Sequence, residues 1–418
     1  MAAELPPDIL AEIFSRLPVK SLLRFRSTSK SLKSLIDSLK FINLHLKNSL
    51  NFNLILRHNT TDFYQLHFPN LTKSIIPLNY PFTTNIDPST RSPTDLLRNS
   101  KMSLIGSCNG LLAISTGVIV FTHPNNLNEI TIWNPNTRKH HIIPFLPLPI
   151  PILNYDDKCS LCVHGFGFDQ ISGDYKLLRI SHLLDLQNPF YDPQVRLFSL
   201  KTNSWKIIPA MPYDLQHLYD LGVFVENSIH WIMTKKLDGL HPSLIVAFNL
   251  TLEIFNEVPL PDEIGEEVNG ESFEVHVAVL GGCLCITVDY KDTKIDVWVM
   301  KEYGCRDSWC KLFTMAESCF DLPLKLLRPI CYSSDGSKVL LERAHVLLEV
   351  QHRKLFWYDL KSEQISYVEG IPPNMNETMF CVGSLVPPSF PVDNRRKKEN
   401  HPSKRRDDFL SRGFKLRL

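Results

Sequence analysis

Residues Trp133–Pro144 read WNPNTRKHHIIP, and similar patterns return further along the chain. They are FSLKTNSWKIIP from Phe198, FNLTLEIFNEVP from Phe248 and YDLKSEQISYV from Tyr358. In each pattern an aromatic residue precedes a short polar turn, and the seventh residue after it begins a new strand-like run. Aromatic and β-branched runs on both sides of a polar turn are typical of a β-hairpin. The sequence therefore predicts the same hairpin at four places.

A fifth hairpin, IDVWVMKEYGCRDSW, fits the pattern with a longer turn between Trp298 and Trp309. The leading aromatic residues of the five hairpins are 50 to 65 residues apart. A repeat of about 50 residues is typical of kelch-like propeller blades, four-stranded sheets that cannot cover both faces alone and stack into a ring. We expect about five or six blades. A β-sandwich or meander whose hairpins are similar by chance is the alternative.

The rest of the chain from Asn51 to Pro387 is consistent with this mainly β fold. Its apolar residues come in short runs, such as GLLAIS and IHWIM, that are rich in β-branched and aromatic side chains. Turn residues separate these runs, so we expect strands joined by tight turns. The strongest turn signals are Asn109-Gly110, Asn227-Ser228, Gly281-Gly282 and Asp335-Gly336.

The first 40 residues have helical periodicity instead. Pro6 and Pro7 suit the first turn of a helix, where a missing N–H costs nothing, and Asp8 places a negative charge at the positive end of the helix dipole. This helix is expected to run to Leu17, because Pro18 stops it. Its apolar positions form one broad stripe: Ile9, Leu10, Ile13, Phe14 and Leu17. A second helical stretch carries Leu22, Leu23 and Phe25, and a third helix carries Leu32, Leu35, Ile36 and Leu39.

A three-helix unit of about 40 residues buries too little apolar surface to be securely stable alone. We therefore expect its apolar stripe to bind a second protein. Periodicity does not reveal the partner, and a helical cap packed on the β domain is the alternative.

The stretch Leu5–Ile36, LPPDILAEIFSRLPVKSLLRFRSTSKSLKSLI, resembles the plant form of the F-box almost continuously. The F-box joins proteins to the Skp adaptor of cullin-RING ubiquitin ligases. The resemblance implies adaptor binding through apolar residues of the first two helices: Leu5, Pro6, Ile9, Ile13, Leu17, Pro18, Leu22 and Leu23. Two positions depart from the family, which commonly has cysteine at Ser27 and tryptophan at Leu32. Without the large ring at Leu32, packing is expected to weaken by about 1 to 3 kcal/mol unless another group compensates.

The β region resembles the F-box-associated domain of plant F-box proteins through SCNGLLAI, WNPNTR, GFGFDQISGDYKLLRI and WVMKEYGCRDSW. The implied organisation is an F-box at residues 1–46, a kelch-like β-propeller at 47–390 and a basic tail at 391–418. Trp298–Phe313 and the final KRRDDFLSRGFKLRL resemble a plant-defence member of this family. That resemblance implies intracellular immune receptors of the nucleotide-binding leucine-rich-repeat type as the substrate class. The residues that would bind the substrate stay unknown.

The net charge of +1 hides a strongly basic end, because Pro391–Leu418 holds ten Lys/Arg against four Asp/Glu. The remaining chain is mildly acidic, so we expect no nucleic-acid groove on the folded part. RRKK at 395–398 and KRR at 404–406 fit either a nuclear-import signal or a solvated extension. The N-terminus lacks a signal-peptide pattern and no run is long enough to span a bilayer. We expect an intracellular protein in the cytoplasm and nucleus.

Candidate catalytic and metal-binding residues have plainer explanations. Cys159, Cys162 and His164 supply three ligands, whereas a closed zinc site needs four. The neighbours His140 and His141 point to opposite faces of a strand and cannot easily share an ion. Three carboxylate pairs fall on probable loops and are expected to be solvated: Asp156-Asp157, Asp262-Glu263 and Glu266-Glu267. No nucleophile elbow or phosphate-binding glycine loop occurs. We expect a non-catalytic protein without metal or cofactor.

The sequence thus predicts a small three-helix F-box followed by a kelch-like β-propeller, acting as the substrate-recognition subunit of a Skp-cullin-F-box ubiquitin ligase. Two alternatives stay open. One is a glycan-binding or glycan-processing propeller with an incidental helical cap. An aromatic cluster with paired carboxylates at one mouth of the ring would favour this alternative, and the sequence displays no such pair. The other is a scaffold that uses the adaptor without ubiquitin transfer.

Overall fold

The computed structural model begins with four helices. They are α1 (Pro7–Phe14), α2 (Val19–Arg26), α3 (Lys30–Ile36) and α4 (Leu39–Asn48). The structure describes residues 6–49, 51–58, 62–68, 71, 75–79, 102–116, 130–144, 146, 158–185, 193–209, 211–216, 221–235, 243–265, 273–291, 293–316, 318, 326–347, 350–371 and 375–389. Among these residues, no helix is both long and apolar enough to cross a bilayer.

The helical unit has one helix more than the sequence predicted, because the expected third helix ends at Ile36. The hydroxyl of Ser38 donates to the Leu35 carbonyl oxygen at 2.7 Å and accepts from the Phe41 N–H at 3.2 Å. Ser38 therefore closes α3 and caps α4, as serine commonly does at a helix N-terminus. Apolar spacing alone could not place this boundary, because Leu39 continues the stripe of α3.

After the helices, the described residues form six antiparallel sheets in chain order. The first holds β1 (Phe52–His58), β2 (Asp62–His67) and β3 (Ile75–Leu78); the second β4 (Met102–Cys108), β5 (Leu111–Thr116), β6 (Ile130–Asn134) and β7 (Lys139–Ile142). The third holds β8 (Lys158–Asp169), β9 (Asp174–Asp185), β10 (Gln194–Ser199) and β11 (Ser204–Ile208); the fourth β12 (Tyr213–Leu215), β13 (Val223–Val225), β14 (Ser228–Lys235), β15 (Leu244–Asn249) and β16 (Phe255–Val258).

A short helix, α5 (Asp262–Gly265), leads to the last two sheets. The fifth holds β17 (Glu274–Leu280), β18 (Cys283–Asp289), β19 (Lys294–Met300) and β20 (Trp309–Ala316), with a 3-10 turn at Arg306–Ser308 before β20. The sixth holds β21 (Leu326–Tyr332), β22 (Lys338–Leu347), β23 (Val350–Asp359) and β24 (Ile365–Tyr367). The last strand, β25 (Met375–Val382), returns to the first sheet and pairs with β1.

These sheets are the six blades of a β-propeller, so the predicted mainly β, propeller fold is confirmed. The buried apolar residues form clusters between neighbouring blades: Ile180 of blade 3 shares one with Trp231 of blade 4, and Leu54 of blade 1 shares one with Leu340 of blade 6. Stacking therefore buries faces that a single blade would leave exposed. Because β25 comes from the end of the chain, the ring closes by pairing its two ends.

The repeated hairpins are confirmed residue by residue. Trp133 pairs directly with His140, Phe198 with Trp205, Phe248 with Phe255 and Tyr358 with Ile365, each seven residues on. All four leading aromatic residues are buried. The residue five places after each aromatic has positive φ: Arg138, Asn203, Glu253 and Glu363.

The tight turns agree with the sequence at three of four places. Asn109-Gly110 and Gly281-Gly282 are two-residue turns in which both residues have positive φ, the geometry that suits a twisted hairpin. Asp335-Gly336 lies in the turn between β21 and β22. The prediction at Asn227-Ser228 is wrong by one residue, because Glu226 and Asn227 form the turn and Ser228 already pairs with Val225.

Buried polar contacts also join neighbouring blades. The Lys176 ammonium of blade 3 lies 2.9 Å from the Asp169 carboxylate and donates to the Leu250 carbonyl of blade 4 at 2.5 Å. It also lies 3.2 Å from the Glu253 carboxylate of blade 4. A buried charge is tolerated only when it is paired and hydrogen-bonded, as here. The GFGFDQISGDYK stretch thus contributes one ion-pair network across the interface between two blades.

Candidate functional site

Helix α1 presents an apolar face that the described chain leaves about half exposed. None of its residues is buried, and Ile9 and Ile13, one turn apart, are 49% and 48% exposed. Phe14 and Leu17 turn the other way and pack against the core of the helical unit. The single broad stripe predicted from the sequence is therefore divided between an inner and an outer face.

Polar contacts join α4 to Ser15 and Leu17, which follow the end of α1. The buried His45 ring lies with its Nε2 3.1 Å from the Leu17 carbonyl oxygen, and the Asn48 amide donates to the Ser15 hydroxyl at 2.8 Å. Burial lowers the pKa of His45, while the hydrogen bond to Leu17 raises it. A neutral ring is therefore favoured at the base of α1. These contacts hold the outer face of α1 in a defined position.

Helices α2 and α3 are joined by an ion pair. The Arg26 guanidinium donates to both oxygens of Asp37, at 2.5 Å and 2.8 Å. These hydrogen bonds hold the pKa of the Asp37 carboxyl below its usual value. Because both side chains are partly exposed, the pair contributes modestly to stability, about 0 to 1 kcal/mol.

The predicted adaptor-binding residues fall into three groups. Pro6, Ile9, Ile13 and Pro18 are exposed, and Leu17 and Leu23 are partly buried against the helical core. Leu22 is 0% exposed, so its side chain holds the helices together and cannot reach another protein in this arrangement. Leu5 lies outside the described residues.

Two exposed apolar residues were not among those predicted to bind the adaptor. Phe25 is 39% exposed and stacks on Phe14 with ring centroids 5.1 Å apart, and Leu39 is 63% exposed at the start of α4. Both were visible as apolar positions in the sequence, but periodicity did not tell which face they occupied. Phe25 enlarges the aromatic part of the helical surface next to α1.

The two departures from the family pattern lie in α3 and just before it. The Ser27 hydroxyl is exposed and donates to the Leu23 carbonyl oxygen at 3.1 Å. Leu32 is partly buried against the helical core, and its N–H donates to the Ser29 hydroxyl at 3.1 Å. The weaker packing expected from leucine at position 32 stays a prediction.

The candidate metal and acid-base residues do not converge in the described part of the chain. Cys162 and His164 are buried in blade 3, whereas the side chain of Cys159 lies outside the described residues. Burial and the nearby Arg179 lower the pKa of His164 to about 3. His141 lies 2.8 Å from the Asn203 amide oxygen, with His140 exposed beside it. No metal-binding cluster of three His, Cys, Asp or Glu occurs among these residues.

The predicted carboxylate pairs do not form a described site either. Asp262 is exposed and pairs with Arg306 at 3.0 Å, and Glu263 lies 3.8 Å from Lys311. Asp156-Asp157 and Glu266-Glu267 lie outside the described residues. Cys285 belongs to the apolar cluster between blades 5 and 6, and Cys283 packs against this cluster.

Family comparison decides what the helical unit is. The F-box domain model matches residues 3–44, and the model described as F-box associated beta propeller domain matches residues 61–370. The chain is a plant-type F-box protein with an F-box-associated propeller. The domain limits expected at 46/47 and 390/391 stay a prediction, because the family models do not extend to either point.

This F-box protein is similar to several from Arabidopsis thaliana. It is 31% identical to F-box protein CPR1 and 30% identical to F-box protein At4g22390, over the full length of both chains in each case. It is 25% identical to F-box/kelch-repeat protein At3g23880, over 81% of this chain and 85% of that one. The similarity therefore extends through the helices and the propeller together.

Proposed function

We propose that this F-box protein is the substrate-recognition subunit of a Skp-cullin-F-box E3 ubiquitin ligase. The observation that supports the proposal is the outer face of α1, where Ile9 and Ile13 stand half exposed with Pro18 exposed at the end of the same segment. Fully burying an exposed isoleucine contributes roughly 1.5 to 3 kcal/mol, so covering each of these half-exposed side chains contributes about half of that. A partner that covers this face therefore gains part of its binding free energy from these two side chains.

In this role the protein makes and breaks no bonds itself and needs no cofactor. Its helices hold the Skp adaptor, and through it the cullin-RING ligase, while the propeller holds a target protein. Holding the target near the ubiquitin-charged conjugating enzyme replaces a bimolecular encounter by an effectively intramolecular one. The rate increase comes from proximity alone.

The test is co-purification of the full chain with a Skp adaptor. The double variant Ile9→Asp/Ile13→Asp is expected to lose adaptor binding by about a hundredfold or more, because it places two carboxylates in an apolar interface. Both side chains are exposed in the free chain, so its unfolding temperature is expected to change little.

The matched control is Ile171→Asp/Ile207→Asp, which makes the same change at isoleucines of blade 3 that are 80% and 67% exposed. This control is expected to bind the adaptor like the unaltered chain. Adaptor binding that survives in the α1 variant, or falls equally in both variants, contradicts the proposal.

We further propose intracellular immune receptors of the nucleotide-binding leucine-rich-repeat type as the target class. The support is the resemblance of Trp298–Phe313 to a plant-defence F-box protein, together with the 31% identity to CPR1. The half-life of such a receptor is expected to lengthen when the chain is deleted and when the proteasome is inhibited. A receptor that binds the chain but keeps its half-life under both conditions would favour the scaffold alternative.

We also propose that the protein acts in both cytoplasm and nucleus. The support comes from the sequence of the tail, where basic runs at 395–398 and 404–406 have the composition of an import signal. Replacing both runs by alanine in a fluorescent fusion is expected to shift the signal towards the cytoplasm. An unchanged nuclear fraction would count against an import role for these runs.

A further inference from the structure

The segment Gly383–Ser389, here called the connector, follows the last strand of the ring and lies between the F-box and blade 2. Its residues Leu385 and Val386 are buried in the same apolar cluster as Phe41 and Ile42 of α4. The connector thus touches the F-box although it stands at the opposite end of the described chain.

Hydrogen bonds tie the connector to the end of α4. The Ser49 hydroxyl donates to the Gly383 carbonyl oxygen at 3.1 Å in a buried contact. The Gly383 N–H donates to the Asn51 carbonyl oxygen at 2.6 Å. Both bonds involve the residues that link the F-box to β1. The connector is therefore hydrogen-bonded to this link.

Blade 2 is hydrogen-bonded to the connector through the side chain of Asn134, in the WNPNTR motif. Asn134 is 0% exposed, and its amide nitrogen donates to the carbonyl oxygens of Ser384 at 3.0 Å and Val386 at 2.8 Å. Its amide oxygen accepts from the N–H groups of Asn136 and Thr137 at 2.9 Å and 3.1 Å. The two donors and two acceptor sites of the side chain are therefore all used.

The equivalent hairpins show why an amide matters at this position. Ser199, Asn249 and Asp359 also accept from N–H groups of their own turns. Serine and aspartate can cap a turn in this way, but neither supplies two additional donors. At blade 2, the amide of Asn134 performs the capping and also binds the connector.

A second motif of blade 2, SCNGLLAI, contacts the connector through the backbone of its glycine, Gly110. Gly110 has φ +79°, and a Cβ atom there would lie 2.2 Å from the Cβ of Ser384 and 2.5 Å from the Val382 carbonyl oxygen. Only glycine allows this approach, because it combines positive φ with the absence of a side chain.

We propose that Asn134 and Gly110 of blade 2 hold the connector as a rigid coupling that sets the orientation of the F-box relative to the propeller. Asn134 is a positioning residue in this inference, because it acts through the connector. The consequence of this inference rests on the proposed function. A fixed orientation holds a bound target at one distance from the conjugating enzyme, whereas a variable orientation gives a range of distances.

The first test measures orientation and needs no ubiquitin transfer. Spin labels are attached through genetically encoded ketone residues at Lys33 of α3 and Lys361 of the blade 6 hairpin, both exposed. Pulsed electron paramagnetic resonance then gives the distribution of distances between the two spin labels in the full chain bound to a Skp adaptor. Asn134→Asp is expected to broaden the distribution, because a carboxylate keeps the turn cap but repels the two connector carbonyls.

The matched control is Asn249→Asp in blade 4, where the side chain oxygen likewise accepts from two turn N–H groups, of Thr251 and Leu252. This control is expected to keep the narrow distribution. A folded Asn134→Asp chain whose distribution is as narrow as that of the control overturns the inference.

If Asn134→Asp does not fold, a second pair of variants tests the coupling between the F-box and the propeller. Gly110→Ala drives a Cβ into the connector, whereas Gly173→Ala carries a similar strain at φ +64° with nothing within 4 Å. Broadening in the first and not in the second supports the coupling. Equal distributions in both variants overturn it.

The functional consequence is read from a reconstituted ligase by mapping the propeller lysines that become ubiquitinated. A ligase assembled with the unaltered chain is expected to ubiquitinate a narrow set of these lysines, and one assembled with Asn134→Asp a wider set. If the unaltered chain shows no ubiquitin transfer at all, the proposed function fails while the distance measurement still judges the coupling. An unchanged lysine pattern together with an unchanged distance distribution overturns the inference itself.

Discussion

At the scale of single residues, His230 is enclosed where blades 4 and 5 meet. Its Nδ1–H donates to the Val223 carbonyl oxygen at 2.9 Å, and its Nε2 accepts from the Tyr303 hydroxyl at 2.7 Å. Burial lowers the pKa of His230 to about 4, against the opposing effect of the Val223 hydrogen bond. His164 has a pKa of about 3 for a similar reason. Both rings are therefore neutral in the folded chain near pH 7.

These histidines predict a pH dependence of stability. Because their folded pKa values lie below the ordinary value of about 6.5, the unfolded chain binds more protons as the pH falls from there. The free energy of unfolding is expected to decrease between about pH 6.5 and pH 4, by up to about 1.4 kcal/mol per pH unit for each group. Above about pH 6.5 these two groups contribute no further change.

Urea unfolding at a series of pH values checks this expectation. Asn replaces the Nδ1–H donor of His230 without a titratable ring, so His230→Asn is expected to make the decrease shallower although the variant is less stable overall. The same slope in the variant and the unaltered chain would show that His230 does not contribute.

At the scale of the element, the repeated hairpins share a backbone requirement that the side chains do not all meet. The fifth residue after each leading aromatic has positive φ, and Asn203 is the one of the four that tolerates this conformation well. Glu363 occupies the same place in blade 6 with φ 58°. A glutamate there carries the steric cost of a left-handed residue, about 1 to 2 kcal/mol.

Glu363→Gly is therefore expected to stabilise the chain by about 0.5 to 1 kcal/mol, the steric gain less the greater entropy of glycine in the unfolded chain. Thermal unfolding measures the change. Glu363→Ala is the control, because alanine removes the carboxylate but keeps the Cβ that causes the strain. A gain of the same size with alanine would assign the effect to the charge and not to the backbone.

At the scale of the whole molecule, the ring depends on its closing strand. In β25, the Thr378 hydroxyl donates to the buried Glu342 carboxylate of blade 6 at 2.9 Å, and Glu377 accepts from the Leu104 N–H of blade 2 at 2.7 Å. Glu342 is also held by Arg328 and Arg353. One strand thus joins blades 6, 1 and 2.

Removing residues 375–418 is expected to abolish the monomeric fold, because it opens the edge of β1, uncovers three apolar clusters and leaves the Glu342 network incomplete. Removing only residues 391–418 is expected to keep the unfolding temperature, since every described contact of β25 and the connector remains. Size-exclusion chromatography and thermal unfolding compare the two. A monomeric, cooperatively unfolding chain that ends at residue 374 would contradict this account of closure.

The amino-acid sequence by itself was sufficient for the local features. The seven-residue spacing of the hairpins, the turn at Gly281-Gly282 and the start of α1 at Pro7 depend on dihedral preferences and on contacts within a few residues, which the order of amino acids specifies directly. The F-box was identifiable for the same reason, because its motif is continuous along the chain.

Only the tertiary structure decided which face of α1 stays exposed, that Leu22 is internal, that six blades close through β25 and that Asn134 binds the connector. These features depend on pairs such as Ser49 and Gly383, which are 334 residues apart. Helical and strand periodicity predicts which apolar side chains project from the same face of an element. It does not predict which other element packs against that face. The partner is chosen by packing of the whole ring, and a single sequence carries no local signal for it.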